Sequence, residues 1–193
     1  MAISLAKGQR ISLEKVAEDL GITLPTVVDI ELHWKERATD GKPFDLDASL
    51  LLLNEQGKVN GDFDFCCYAQ KTLHKGAVVH QGDNRTGGGE TIRVNLATVP
   101  ANSTRAVAVV TIFEHDLRHQ TFGQVDDAYV LLKDASTGTE LLRFDLTDDM
   151  STQTAMLFCE LYRKNNGWSF NAVGQGYEGG LKAIATNYGV DVE

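Results

Sequence analysis

Two separated groups of oxygen donors are the residues in this chain whose types and spacing could do chemistry. The first is Phe44-Asp45-Leu46-Asp47-Ala48-Ser49, directly before the apolar run Leu50-Leu51-Leu52-Leu53. Side chains alternate across a strand, so Asp45, Asp47 and Ser49 project to one face and Leu46, Ala48 and Leu50 to the other. Two carboxylates on one side at the mouth of a buried strand repel each other, and a hard cation relieves that repulsion. Calcium suits the task because it accepts about six to eight oxygens, backbone carbonyls and water included, in forgiving geometry. The second group is Gly82-Asp83-Asn84-Arg85-Thr86-Gly87-Gly88-Gly89-Glu90, a loop between two short strands. Asp83, Asn84, Thr86 and Glu90 all offer oxygens, and the glycines let backbone carbonyls turn inward. Alone, Asp83 and Asn84 also read as an Asx turn whose glycines close a hairpin. Together, the two groups can complete one coordination shell where neither suffices. Magnesium suits an all-protein cage less well, and zinc would want His or Cys.

Other motifs carry less. The D-x-D-x-S opening at Asp45 resembles an EF-hand, but its sixth residue is Leu50 where Gly is needed and its twelfth is Gln56 where a bidentate Glu is needed. His115 and His119 have i, i+4 spacing in what reads as a polar connection, with no third ligand nearby. Gly174-Gln175-Gly176-Tyr177-Glu178-Gly179 matches G-x-G-x-x-G between a predicted strand and a predicted helix. Too little chain follows it for a second parallel strand with an acidic residue about 20 positions on, so it reads as a tight, closely packed strand-to-helix turn. Ser12 to Val27 mimics a helix-turn-helix, yet its second half offers no Arg, Lys, Asn or Gln to bases or phosphates and reads as a strand. Without a G-x-S-x-G, P-loop or kinase signature, hydrolase or transferase activity has no residue to carry it, and the chain is expected not to be an enzyme. A rival reading from another class is a thiol-dependent redox or oxyanion-handling protein using Cys66, Cys67 or Cys159, although nothing cationic beside them in sequence suggests a lowered pKa.

The elements that must position these groups are strands. Segments rich in β-branched and aromatic residues recur between Gly, Asn, Asp and Pro: Ala2–Leu5, Val27–Trp34, Asp47–Leu53, Asp64–Tyr68, Val78–His80, Thr91–Leu96, Ala106–Ile112, Ala128–Lys133, Glu140–Asp145, Ala155–Arg163 and Gly167–Val173. The last two flank Lys164-Asn165-Asn166-Gly167, where Asn and Gly accept positive φ in a hairpin turn. Leu13, Val16, Ala17 and Leu20, and again Leu181, Ile184, Ala185 and Tyr188, fall at helical spacing, the second run closed by Gly189. The expected fold is mainly β: a β-sandwich of two mostly antiparallel sheets with short peripheral helices, forming one domain over residues 1–193.

The 193 residues carry 18 Lys+Arg against 27 Asp+Glu, a net charge of −9. That balance argues against an autonomous nucleic-acid binder, which needs a basic patch to displace counterions, and favours cations as ligands. Three cysteines, two of them adjacent, do not read as a disulfide framework. With no apolar N-terminal run resembling a signal peptide and no stretch near the ~18 apolar residues of a membrane span, a cytoplasmic location without membrane insertion is expected.

Several ordered motifs resemble the TerD-type tellurium-resistance and general stress protein family along nearly the whole chain. They are Met1-Ala2-Ile3-Ser4-Leu5-Ala6-Lys7-Gly8-Gln9, Phe44-Asp45-Leu46-Asp47-Ala48-Ser49, Val79 to Gly87, Phe122-Gly123-Gln124-Val125, Arg143-Phe144-Asp145-Leu146, Glu160-Leu161-Tyr162-Arg163 and Gly174 to Leu181. The resemblance implies a calcium-binding β-sandwich without established catalytic activity, linked to tellurite and other stresses. It also implies association with other tellurium-resistance or stress proteins, peripheral to the inner membrane. By the same resemblance calcium ligation falls on Asp45, Asp47, Asp83, Asn84, Thr86 and Glu90. Family members usually extend the second loop to something like G-x-G-D-D-E, where this chain has Gly87-Gly88-Gly89-Glu90 and so fewer carboxylates.

Overall fold

The computed structural model describes residues 2–36, 44–82, 89–146 and 152–190. The chain opens with β1 (Ile3–Leu5), β2 (Arg10–Ser12), α1 (Leu13–Leu20), β3 (Val27–Glu36) and β4 (Leu46–Leu53). It continues with β5 (Phe65–Cys66), β6 (Thr72–Leu73), β7 (Val78–His80), β8 (Glu90–Asn95) and β9 (Arg105–Ile112). The last part holds α2 (His115–Arg118), β10 (Val125–Asp134), β11 (Glu140–Asp145), β12 (Ala155–Lys164), β13 (Gly167–Tyr177) and α3 (Gly180–Tyr188). These strands form a seven-stranded sheet, β1-β11-β10-β3-β8-β7-β6, and a six-stranded sheet, β2-β13-β12-β9-β4-β5. Only the pairing of β1 with β11 is parallel among the described strands. The expected mainly β sandwich is therefore what the chain forms.

Residue pattern explains the layers. On β8, Glu90, Ile92 and Val94 are buried and alternate with half-buried Thr91, Arg93 and Asn95, a strand with one face in the core. β4 is buried along its whole length, which is why its apolar run is unbroken. Leu46, Ala48, Leu50 and Leu52 enter the core between the sheets, while Leu51 and Leu53 join Ile184, Ala185 and Val190 beneath α3 on the outer face. Each fully buried leucine contributes about 1.5–3 kcal/mol, so this strand is a main anchor of the sandwich. All four edge strands, β1, β6, β2 and β5, are only two or three residues long, leaving little open ladder for another chain to pair with.

Several details depart from expectation. β2 and β6 are too short for a period-two pattern to register. The strand expected over Asp64–Tyr68 contracts to β5, because Asp62–Asp64 forms a single 3-10 turn. The polar connection at 113–119 contains the one-turn α2, bracketed by left-handed Glu114 and His119 (φ 50° and 52°). Gly174 and Gly176 lie inside β13 rather than in a turn: Gly174 adopts φ 60° against the Phe144 ring where β12 and β13 slip register, and the chain turns only after Tyr177. The helix-turn-helix mimic ends as expected. Ser12 caps α1 by accepting from Lys15 N–H (3.1 Å), left-handed Gly21 closes it, and β3 follows without a second helix.

Candidate metal centre

β5 pairs only with Leu50 and Leu51 of β4, so the strand edge before them has no neighbouring strand in the described structure. Two side chains of the opposite sheet take the strand's place there. Ala48 N–H donates to Glu90 Oε2 (2.5 Å), and Ala48 O lies 3.2 Å from His80 Nε2. Gly82 N–H donates to His80 Nδ1 (3.2 Å), so the ring proton sits on Nε2, which donates to Ala48 O with Glu90 Oε2 3.5 Å away. Both side chains are buried, and the inward carboxylate is met by the Ala48 amide with the His80 ring beside it.

The expected ligands that the structure describes stand at this end of the sandwich without converging, because Glu90 approaches β4 from the core and Asp47 lies on the face shared with Leu51 and Leu53. Asp47 precedes Ala48, the residue that Glu90 and His80 grip, and is itself only 8% exposed, paired across the ladder with buried Thr111. Asp45 is half-buried, and its carbonyl accepts from Phe113 N–H (2.8 Å), tying the end of β9 to the start of β4. Gly82 and Gly89, the feet of the second loop, stand at the same end: Gln81 N–H donates to Thr91 O (2.9 Å), and a Cβ on Gly89 would come within 2.5 Å of Leu32 O. Asp83, Asn84 and Thr86 lie outside the described residues. Among the described residues, no three His, Cys, Asp or Glu side chains form a cluster able to hold a metal. The donors present are all carboxylate oxygens, the chemistry a hard cation takes, although Glu90 has already committed Oε2 to Ala48.

His80 is the residue that sequence reasoning missed. A signal existed, because Val78 is a core residue and His80 must share its face in a strand.

The remaining candidates sit elsewhere. His115 rests against Gly180 and pairs with Asp116 (3.1 Å), whereas His119 is exposed. Cys66, Cys67 and Cys159 are free and buried. Burial pushes the Cys66 thiol up to about 12 and raises that of Cys159 as well, the opposite of an activated thiolate. No helix among the described residues is long and apolar enough to cross a membrane.

The chain is 47% identical to the tellurium resistance protein TerD of Serratia marcescens over 195 residues, 99% of each chain. It is 45% identical to general stress protein 16U of Bacillus subtilis (strain 168) over 197 residues, all of both chains. Among solved structures, a homologue of telluride resistance protein TerD, SCO6318 from Streptomyces coelicolor A3(2), superposes with a TM-score of 0.65 at 21% identity, covering 83% of this chain and 95% of that one. The protein SAV2460, of unknown function, gives 0.69 at 20% identity with the same coverage, and both likenesses speak to the fold. With the TerD domain matched over residues 1–188 and full-length relatives above 40% identity, the chain belongs to the TerD domain family.

Proposed function

We propose that this chain is a calcium-binding stress-response protein associated with tellurite resistance, acting as a non-catalytic interaction module whose loops the ion orders. The observation that carries the reading is that Asp45, Asp47 and Glu90 all stand at the end of the sandwich where Gly82 and Gly89 bracket the Asp83 segment, Glu90 gripping the Ala48 amide from the core side of β4 and buried Asp47 lying on its other face. The names of the tellurium-resistance and general stress relatives support the stress role. Asp45, Asp47 and Glu90 would hold the ion with Asp83, Asn84 and Thr86 from the loop, Glu90 also bracing β4 through Ala48. Calcium would supply charge neutralisation between strands whose carboxylates otherwise repel. The chain's own residues do the rest: Gly82 and Gly89 pin the loop ends, and the Phe113–Asp45 hydrogen bond links the acidic end to an exposed apolar tip, Leu117 at 76% and Phe113 at 39% exposure. Such a tip beside an ion-ordered loop is suited to another stress protein as partner, at the cytoplasmic surface of the inner membrane. All three thiols are buried, and burial raises those of Cys66 and Cys159, which leaves the redox alternative without a supporting observation.

Calorimetric titration of chelator-stripped protein with calcium tests this. Heat of binding and a higher melting temperature are expected, with Asp47→Asn and Asp83→Asn each weakening binding on the order of tenfold or more, because affinity tracks the number of charged ligands. No heat, with identical melting curves in calcium and in chelator, would overturn the reading.

A further inference from the structure

At the far end of β8 from Glu90, roughly 20 Å away by strand rise, the molecule has a second concave feature that the acidic end does not use. A pocket of about 300 Å³ opens between the start of α1, the connection into β3, the residues after β8 and the β12–β13 hairpin. That volume is at the small end of the range of about 300–1,000 Å³ usual for ligand sites. Its apolar walls are Leu24, Pro25, Leu96 and Trp168, and Arg163 is its cation. Leu24 is 43% exposed, whereas Leu96 and Trp168 are buried, so the cavity has one open and one closed side.

Arg163 is unusual in how it is held. Nε donates to Ser103 O (3.1 Å), Nη2 to Val99 O (2.8 Å), and the guanidinium stacks 4.5 Å from the centre of the Trp168 ring. Trp168 is fixed in turn by Nε1–H donating to Leu96 O (3.3 Å). Carbonyls and a ring face satisfy geometry but cancel no charge, and among the described residues Arg163 forms no ion pair. Glu14, which also lines the pocket, is solvent-exposed and lies over Gly167 without pairing with it. In a chain of net charge −9, an uncompensated, half-buried guanidinium in an apolar hollow is a stated preference for an anion. The hairpin that carries it closes in a tight two-residue turn, with Asn165 and Asn166 in left-handed conformations (φ 50° and 65°).

We propose that this pocket binds a small anionic amphiphile, a free aliphatic or aromatic monocarboxylate, with its apolar body against Leu24, Pro25, Leu96 and Trp168 and its carboxylate on the free Nη1 side of Arg163. The site is independent of the acidic end and needs no metal.

Calorimetric titration with decanoate below its micellar concentration tests it, in chelator and in calcium, with decyltrimethylammonium as the charge-reversed control. One-to-one decanoate binding is expected in both buffers, with no heat from the cationic amphiphile. Ala97→Phe fills the pocket from an exposed position that does not threaten folding, and should weaken decanoate about tenfold or more. Arg163→Met should do the same, while Arg163→Lys retains most of the affinity. Absence of binding, equal binding of the cationic amphiphile, or unchanged affinity in Ala97→Phe would each overturn the proposal. So would anionic phospholipid vesicles capturing the protein in an Ala97-dependent way while free decanoate does not bind.

Discussion

Glu90 sets a residue-scale test because one carboxylate oxygen terminates an unpaired strand edge inside the sandwich. Removing it as Glu90→Ala strands the Ala48 N–H in a buried site, and a buried donor left without a partner costs about 1–3 kcal/mol. Urea unfolding in chelator should show that loss, with Glu90→Gln losing less because its amide oxygen still accepts. Asp134 gives a second test through pH. The Ser136 hydroxyl foremost, joined by Ser136 N–H and the Thr137 hydroxyl, holds its carboxyl below the usual carboxylate range against an opposing effect of burial. A carboxyl with a depressed folded pKa contributes stability that is present above its unfolded value, about 3.9, and is lost as pH falls through the folded value. Asp134→Ala should therefore lower stability by about 1 kcal/mol at neutral pH, and the difference from the parent should shrink as pH is taken below 4. A difference that stays constant with pH would count against the ionised hydrogen-bonded turn.

At the scale of elements, β13 carries a conformational requirement that its neighbours impose. Gly174 sits at φ 60° where β12 and β13 slip register, and a Cβ there would lie 3.0 Å from the Phe144 ring, itself edge-on to Phe158. Gly174→Ala should cost about 1–3 kcal/mol, combining the left-handed penalty with crowding of the core. Gly138→Ala, at φ 73° with nothing within 4 Å, isolates the conformational part and should cost less in the same denaturant assay. This glycine also shows where sequence reading reaches its limit. G-x-G-x-x-G reads in sequence as a strand-to-helix turn, whereas its placement inside a strand depends on a ring delivered by β11. The core strands were legible because burial on one face imposes period two, as on β8, and burial on both faces gives an unbroken run, as on β4. β2, β6 and α2 were not, since two to four residues carry no period and α2 rests on left-handed Glu114 and His119. At the acidic end, Asp45 and Asp47 could be read from local alternation. The grip of Glu90 on Ala48, 42 residues away, could not, because its partner is a backbone amide and backbone amides leave no mark in sequence.

For the whole molecule, the three thiols report on whether the sandwich opens as a unit and whether redox chemistry has any access to it. Cys66 and Cys159 lie in the core between the sheets, and Cys67 lies in the layer beneath α3, so together they sample both hydrophobic clusters. Thiolate is the reactive form, and burial works against it: the Cys66 thiol is held near 12, so almost none is ionised at neutral pH even where reagent arrives. Labelling with a chromogenic disulfide reagent at pH 7 should therefore be slow for all three in the native state and immediate in strong denaturant. If the layers open cooperatively, the three labelling rates should rise in parallel with urea. Calcium should slow all three only to the extent that ordering the acidic end stabilises the folded chain as a whole, by mass action on the native state. Rapid native labelling of Cys66 or Cys67 would mean that the β5 edge opens on its own, and the thiol-based reading of the protein would then have the access it now lacks.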